Sequence, residues 1–423
     1  MAATAASVDR RSMMGTPRPL GVRRPALHPS SLRSWLLLAP LLIFLSLGFL
    51  IPLLRMVQLS VYDPTLRNLL PATAPAITSW SGEALPGDPV YRALAQDLKA
   101  ATEAQTIGIV ATRLNTEISG IRSVVMRTAR RLDGLATAAP RDWFTAQDPQ
   151  WADIGTWRAI ARLTQAITPS HYLAALDLTY DENGALAQRE PNRRIHRALF
   201  LRTLAISAVV TLLCILLGYP VACVLTTVRP ALRSYLFLLV LLPFWTSLLV
   251  RTTAWIVLLQ SQGVINDALV GLGLIANDGR MSLIYNMTGT IVTMTHILLP
   301  FFILPLYSVM ASIPPSYMQA ALSLGARPAF AFRRVYLPCT LPGVTAGGLL
   351  VFILAIGYYV TPALVGGQSG QMISNVIAFH MQSSLNWGLA SALGVLLFAL
   401  IGVFFVLYSR LAGLATSDWI SGS

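Results

Sequence analysis

The sequence predicts an all-α polytopic membrane protein, with six transmembrane helices and a mostly helical insert between the first two. Composition is the first observation behind this. Of 423 residues 55% are hydrophobic and 12% charged, with a mean hydropathy of +0.62, far from an ordinary soluble domain. The second is recurrence: apolar runs long enough to cross a bilayer fall at 34–56, 198–227, 234–260, 284–312, 341–361 and 389–412. The third is the placement of arginine at the edges of those runs, taken up next.

Residues 1–33 read as a disordered basic leader, with Arg10, Arg11, Arg18, Arg23, Arg24 and Arg33 against a lone Asp9. The positive-inside bias puts this end in the cytoplasm. Counting spans onward, inside connections carry Arg229 with Arg233, Arg327 with Arg333 and Arg334, and Arg410. Outside connections after residue 260 carry only Asp267, Asp278 and Arg280. Both termini are expected inside, with 413–423 a cytoplasmic tail. Arginine-rich edges also account for the net charge of +13, and no basic stripe interleaved with aromatics suggests a nucleic-acid partner. Cys214, Cys223 and Cys339 lack metal-ligand spacing and read as packing residues.

Residues 57–197 are a different material, expected outside the cytoplasm. Acids and bases mix freely there (Asp97, Lys99, Glu103, Arg113, Glu117, Arg122, Arg130, Arg131), and no run reaches membrane length. Leu94, Leu98, Ile107, Leu114, Ile118 and Ile121 recur at helical spacing, predicting amphipathic helices over about 90–135. A Trp-rich loop (Trp143, Trp151, Trp157) and a shorter helix follow. The segment is long enough for a small core, or for a hairpin leaning on the membrane part. Docking a partner, bracing the bundle and spacing are all open as its role.

The membrane part, 198–412, carries Pro220, Pro243, Pro300, Pro305 and Pro362 within or beside its spans. Freed backbone groups at that depth need neighbouring helices or water, which favours a packed, mobile bundle. Between two spans lies a polar island, about 313–340, basic and without acids. Ser316 with Gln319 fits a capping box, Gly325 a left-handed helix end, and Pro328 a second short helix stopped by Leu337-Pro338. Arg333 and Arg334 are placed to meet acids or anionic membrane lipid. By itself this is equally a coupling surface or an ordinary cytoplasmic loop.

Gln319-Ala320-Ala321, Gly325 and Val335-Tyr336-Leu337-Pro338 resemble the EAA loop of ABC-importer permeases of the binding-protein-dependent class, with Gln319 in place of the usual glutamate. Leu242-Pro243-Phe244-Trp245-Thr246-Ser247 with Arg251, and Tyr359 through Gly367, look like the spermidine/putrescine-type branch. The likeness covers about 198–412 and the first span, and not the whole insert. It implies a six-helix permease core in the bacterial inner membrane. It also implies that Gln319, Ala320, Ala321, Gly325, Leu337 and Pro338 couple the chain to an ATPase subunit dimer. The further partners implied are a second permease chain, identical or related, and an extracytoplasmic solute-binding protein that delivers a small solute, polyamine-like or another small organic molecule.

No catalytic or metal-ligating set is expected, and the chain contains no Gly-x-x-x-x-Gly-Lys-Ser/Thr phosphate loop. ATP and Mg would act on the partner ATPase, and the chain is expected not to be an enzyme. Arg251, a charge within an apolar span, is a candidate for the substrate path, or else snorkels to the outer interface or pairs with a carbonyl; Tyr219, Trp245, Tyr358 and Tyr359 could line that path, though such aromatics are more often packing or interfacial residues. Two other classes compete. A membrane receptor would need more cytoplasmic chain than the dozen or so residues after Arg410. A polytopic membrane enzyme would need more than the scattered His196, His296 and His380.

Overall fold

The computed structural model describes residues 31–137, 139–181 and 185–421, so the expected leader lies, up to residue 30, outside the described residues. The chain divides into two compact units, one ending at Arg55 and one running from Met56. Among the described residues six helical stretches are long and apolar enough to span a membrane: Leu36–Val61, His196–Thr227, Leu248–Gly271, Met287–Ser312, Pro328–Gly357 and Trp387–Arg410. They are called the first to sixth spans below. In the first unit the chain is helical from Ser31, passing through a π turn at Ser46–Leu50.

The third span departs from the run expected over 234–260. A 16-residue apolar helix, Pro230–Trp245, ends where Thr246 and Ser247 are extended, and a new helix begins at Leu248. Pro243 removes a backbone donor near that end, and the Ser247 hydroxyl caps the new helix by accepting from the Val250 N–H at 3.2 Å.

The island also differs. Ser316 is already the first helical residue, after Pro315 with φ −59°, and no side-chain cap forms. The capping box is therefore absent, because the turn starts one residue early. Leu337-Pro338 does not stop the second helix either. Pro328–Ala331 runs through a π turn at Phe332–Tyr336 into Leu337–Gly357. The Leu337 N–H reaches back to the Phe332 carbonyl, and this widened turn accommodates the donor that Pro338 lacks.

Second, fourth and fifth spans form the membrane core. Phe302 is fully buried between two glycines: a Cβ on Gly218 would lie 2.5 Å from its ring, and one on Gly347 would lie 2.9 Å from its carbonyl oxygen. Helices in lipid lack a hydrophobic drive to associate, so close approach over small residues supplies the packing.

The insert has a core of its own. Tyr91, Phe144, Trp151 and Trp157 are all fully buried, with Tyr91 and Trp157 rings 4.5 Å apart edge-on. The Trp151 carbonyl accepts from Tyr91 Oη at 2.9 Å and Trp157 Nε1 at 3.0 Å. The expected Trp-rich loop is thus helical: Asp148 and Asp153 side chains cap the turns that carry Trp151 and Trp157. A small antiparallel hairpin, Leu178–Tyr180 with Leu186–Gln188, was not foreseen. Asp177 ties the insert to the second span, accepting from the His196 and Arg197 N–H groups at 3.2 and 2.8 Å. A carboxylate at a helix N-terminus is favoured by the exposed donors and the dipole.

Two predictions follow from packing and charge. Gly347→Ala is expected to destabilise the bundle by about 1–3 kcal/mol, because a backbone oxygen cannot yield. Gly348→Ala, whose Cβ would make only ordinary contacts with Ile215 Cδ1, Thr211 Cγ2 and Tyr408 Oη at 3.6, 3.8 and 3.9 Å, should leave the melting temperature in detergent nearly unchanged. In the insert, Asp63 accepts from Arg113 Nε at 2.6 Å and the Thr65 N–H at 3.1 Å, with His171 Nε2 3.5 Å away. Burial pushes its carboxyl up, but His171, Arg113 and Thr65 outweigh this and hold it well below the usual carboxylate range. A depressed folded-state value gives stability that is complete above the unfolded value of about 3.9. That stability is lost as pH falls below it toward the folded value. The stability gap between wild type and Asp63→Asn should therefore be constant near neutrality and narrow below about pH 4, read by thermal unfolding across pH.

Candidate functional site

Two groups of the sequence-selected residues occupy separate places. The first is the island. Ser316–Ser323 is a short helix on which Gln319 and Ala320 are exposed and Ala321 is half-buried. It ends in a Schellman motif: Gly325 has φ +85°, its N–H donates to the Leu322 carbonyl at 3.0 Å, and the Ala326 N–H donates to the Ala321 carbonyl at 3.1 Å. Leu337 and Pro338 are half-buried in the first turn of the helix that becomes the fifth span.

The surface of this segment is unlike a solvated loop. Leu324 is 89% exposed, and Tyr317, Leu322 and Phe330 are exposed beside it. These apolar side chains share the segment with the exposed Arg327, Arg333 and Arg334. At its root Phe332 stacks on Tyr336 with centroids 5.7 Å apart, and Tyr219 meets Phe332 edge-on at 6.4 Å. Thr340 Oγ1 already donates to the Leu337 carbonyl, so the Tyr219 hydroxyl donates to Thr340, at 3.1 Å. The structure thus places Tyr219 where the second span grips the root of the island.

The second group surrounds Arg251, in the first turn of the helix after the Thr246–Ser247 break. Arg251 is half-buried, and its Nε is buried without a hydrogen-bond partner. Its charge is felt at His296 in the fourth span and at Tyr358, just past the fifth. Trp255 Nε1 donates to His296 Nδ1 at 3.1 Å, which leaves the neutral imidazole's proton on Nε2. The hydroxyls of Thr252 and Thr361 lie 3.3 Å apart, and the Tyr358 and Tyr359 carbonyls accept from Ser374 Oγ and Asn375 Nδ2. Tyr358 therefore joins Arg251, Tyr359 stands next to it, and Trp245 is 81% exposed on the far side of the break.

His296 also borders an apolar cavity of about 450 Å³ lined by Pro220, Pro243 and Pro300 from three helices. None of the five aromatic and basic residues chosen from sequence lines it. His296 and Trp255 are what sequence reasoning missed. The available signal was the pairing of an arginine and a histidine in apolar spans, but only the fold brings them together. Among the described residues no group of three His, Cys, Asp or Glu side chains could hold a metal.

A family model described as "Binding-protein-dependent transport system inner membrane component" matches residues 184–413. The chain belongs to that family. The protein is accordingly an integral inner-membrane permease of an ABC importer, a transport subunit and not an enzyme. Among curated relatives, the spermidine/putrescine transport system permease protein PotB of Haemophilus influenzae is 36% identical over 208 residues, covering 49% of this chain and 72% of that one. The inner membrane ABC transporter permease protein YdcU of Escherichia coli is 32% identical over 223 residues, covering 50% and 71%. Among solved structures, an inward-facing conformation of the MetNI methionine ABC transporter aligns with TM-score 0.42 and 20% identity over 54% of this chain and 99% of that one.

The permease's island gives a backbone test. At Gly325 the left-handed conformation costs a branched side chain about 1–2 kcal/mol, whereas no atom lies within 4 Å of where a Cβ would sit. Gly325→Val should therefore speed amide hydrogen exchange at residues 325 and 326 about tenfold, and Gly325→Asn, which tolerates that conformation, should change it little.

Proposed function

We propose that the permease moves a small organic solute inward across the bacterial inner membrane, with both termini cytoplasmic and the 57–197 insert outside. The solute arrives on an extracytoplasmic binding protein and passes between this chain and a second permease chain, identical or related. A pair of ATPase subunits binds ATP and Mg and supplies the energy. The relatives' naming for spermidine and putrescine makes a polyamine-like molecule the first solute to try.

Coupling rests on residues 313–340. Gln319, Ala320, Ala321 and Gly325 form a rigid, capped helix end whose small side chains let a partner surface approach closely. Leu324, Tyr317 and Phe330 supply apolar contact area, and Leu337 with Pro338 joins the island to the fifth span. Exposed apolar side chains on a fixed backbone, where a free loop would expose polar ones, are the observation that carries this reading. ATP-driven closure of the ATPase pair would push this element, and the continuous helix from Pro328 would pass the movement into the bundle.

The test is co-purification of the tagged chain with its native neighbours in mild detergent. Wild type is expected to recover an ATPase, and Leu324→Asp and Gly325→Asp are expected to lose it while still inserting in the membrane. Equal recovery of the ATPase with both variants, together with unchanged uptake, would remove the island from the coupling role.

A further inference from the structure

We infer that the insert carries a binding site of its own, for a small anion that also bears a hydrogen-bond donor. Hydrogenphosphate and a simple amino acid have this chemistry. Arg189 and Arg193 take the negative charge, and Glu117 takes the donor.

Three arginines converge on one turn of the insert. Arg113 Nη1 donates to Thr116 Oγ1 at 2.7 Å, Arg189 Nη2 to the Thr116 carbonyl at 3.1 Å, and Arg193 Nη2 to Ser119 Oγ at 3.1 Å. Arg113 is neutralised by Asp63. Among the described residues neither Arg189 nor Arg193 forms an ion pair. Burial, and then the nearby Arg193, hold the Arg189 guanidinium below its usual range against the pull of Glu117 and Asp177. Two half-buried guanidiniums on one turn, neither with a carboxylate of its own, form a receptor for an anion.

There is room beside them. Cavities of about 330 and 210 Å³ are both lined by Thr116, Glu117, Arg189 and Arg193. Glu117 supplies the selectivity. Its side chain is 10% exposed, Oε2 lies 3.5 Å from Arg162 Nη2, and Oε1 is buried without a hydrogen-bond partner. An anion with no hydrogen to give would face this carboxylate with repulsion alone. One with an O–H or N–H satisfies the orphan oxygen as well as the arginines. The other acids around the larger cavity, Asp153, Asp181 and Glu190, are exposed and screened by water.

The smaller cavity extends to the membrane part. His380, Asn386 and Leu389 share its lining with the buried His171, and a Cβ on Gly388 would lie 2.2 Å from the His171 ring. An anion on Arg193, three residues before the second span begins at His196, thus sits where the insert meets the starts of the second and sixth spans. Free phosphate, an amino acid and an amine-bearing phospholipid headgroup all offer the required groups.

The test uses the full chain, purified in detergent, stripped of lipid and titrated calorimetrically with phosphate, glycine, sulfate and putrescine. Hydrogen exchange is followed alongside. Phosphate or glycine is expected to bind at least about tenfold more tightly than sulfate, and to slow amide exchange at 116–119 and 186–193. Arg193→Gln should weaken that binding about tenfold or more, and Glu117→Gln, which can donate, should close the gap between phosphate and sulfate. Phosphatidylethanolamine retained by the unstripped wild type and lost from Arg193→Gln would identify a headgroup as the occupant. Binding of the free probes with no lipid retained would identify a solute. Binding of putrescine alone, sulfate as tight as phosphate and glycine, protection confined to other residues, or indifference to Arg193→Gln would each overturn the inference. So would no binding by any probe together with no retained lipid. None of these results touches the importer reading. Should Arg193→Gln fail to fold, the wild-type selectivity and exchange pattern decide the matter.

Discussion

The position of Phe302 between Gly218 and Gly347 sets the spacing of the second, fourth and fifth spans, and most of what the permease does is arranged around that spacing. Inside a bilayer the helices gain little by hiding apolar surface from lipid that is just as apolar. They hold together because backbones come close enough for many small attractions to add. Two absent side chains make room for one aromatic ring, and the fit leaves little slack. Tyr219 follows Gly218 directly, so the residue that locks the second span to Phe302 is adjacent to the one that grips Thr340 at the island's root. Surface contact and membrane core are mechanically one object at this point.

The treatment of proline differs between the two ends of the mechanism. In the fifth span a π turn accommodates Pro338, and the helix stays continuous from the exposed Pro328 to Gly357. Beyond Pro243 the opposite happens. The helix ends, Thr246 and Ser247 run extended, and a new helix starts that carries Arg251. The Arg251 helix is thereby separated from the Pro230–Trp245 helix and tied to the segment after the fifth span through Thr252 and Thr361. A stiff element beneath the island and a jointed one around the buried charge suit a bundle that must switch between two arrangements about a bound solute.

Hydropathy made the six-span architecture legible, because length and apolarity alone decide whether a helix can cross. It blurred the third span, because two hydroxyl residues barely lower an average and the break depends on a single side-chain cap. The tryptophans of the insert read as a loop for a related reason. Pro149, Asp148 and Asp153 interrupt the periodicity, yet those acids are what start the turns that bury Trp151 and Trp157. Gly325 was legible since only a left-handed end explains a glycine there. The capping box was not, since Pro315 already adopts helical angles and shifts the frame by one residue. The approach of Arg251 and Trp255 to His296 joins two helices that are far apart in the chain, and no local pattern encodes it.

The insert and the second span are joined at the N-terminus of that span. Asp177 closes the N-terminus of the second span, so the helix that holds Phe302 is fixed at one end by the insert and near the other by Tyr219. The Tyr91–Trp151–Trp157 core gives the insert a packed interior of its own. The anchor combines that carboxylate on backbone donors with apolar packing of Ala174 and Ala175 against Leu199, Leu389 and Leu393.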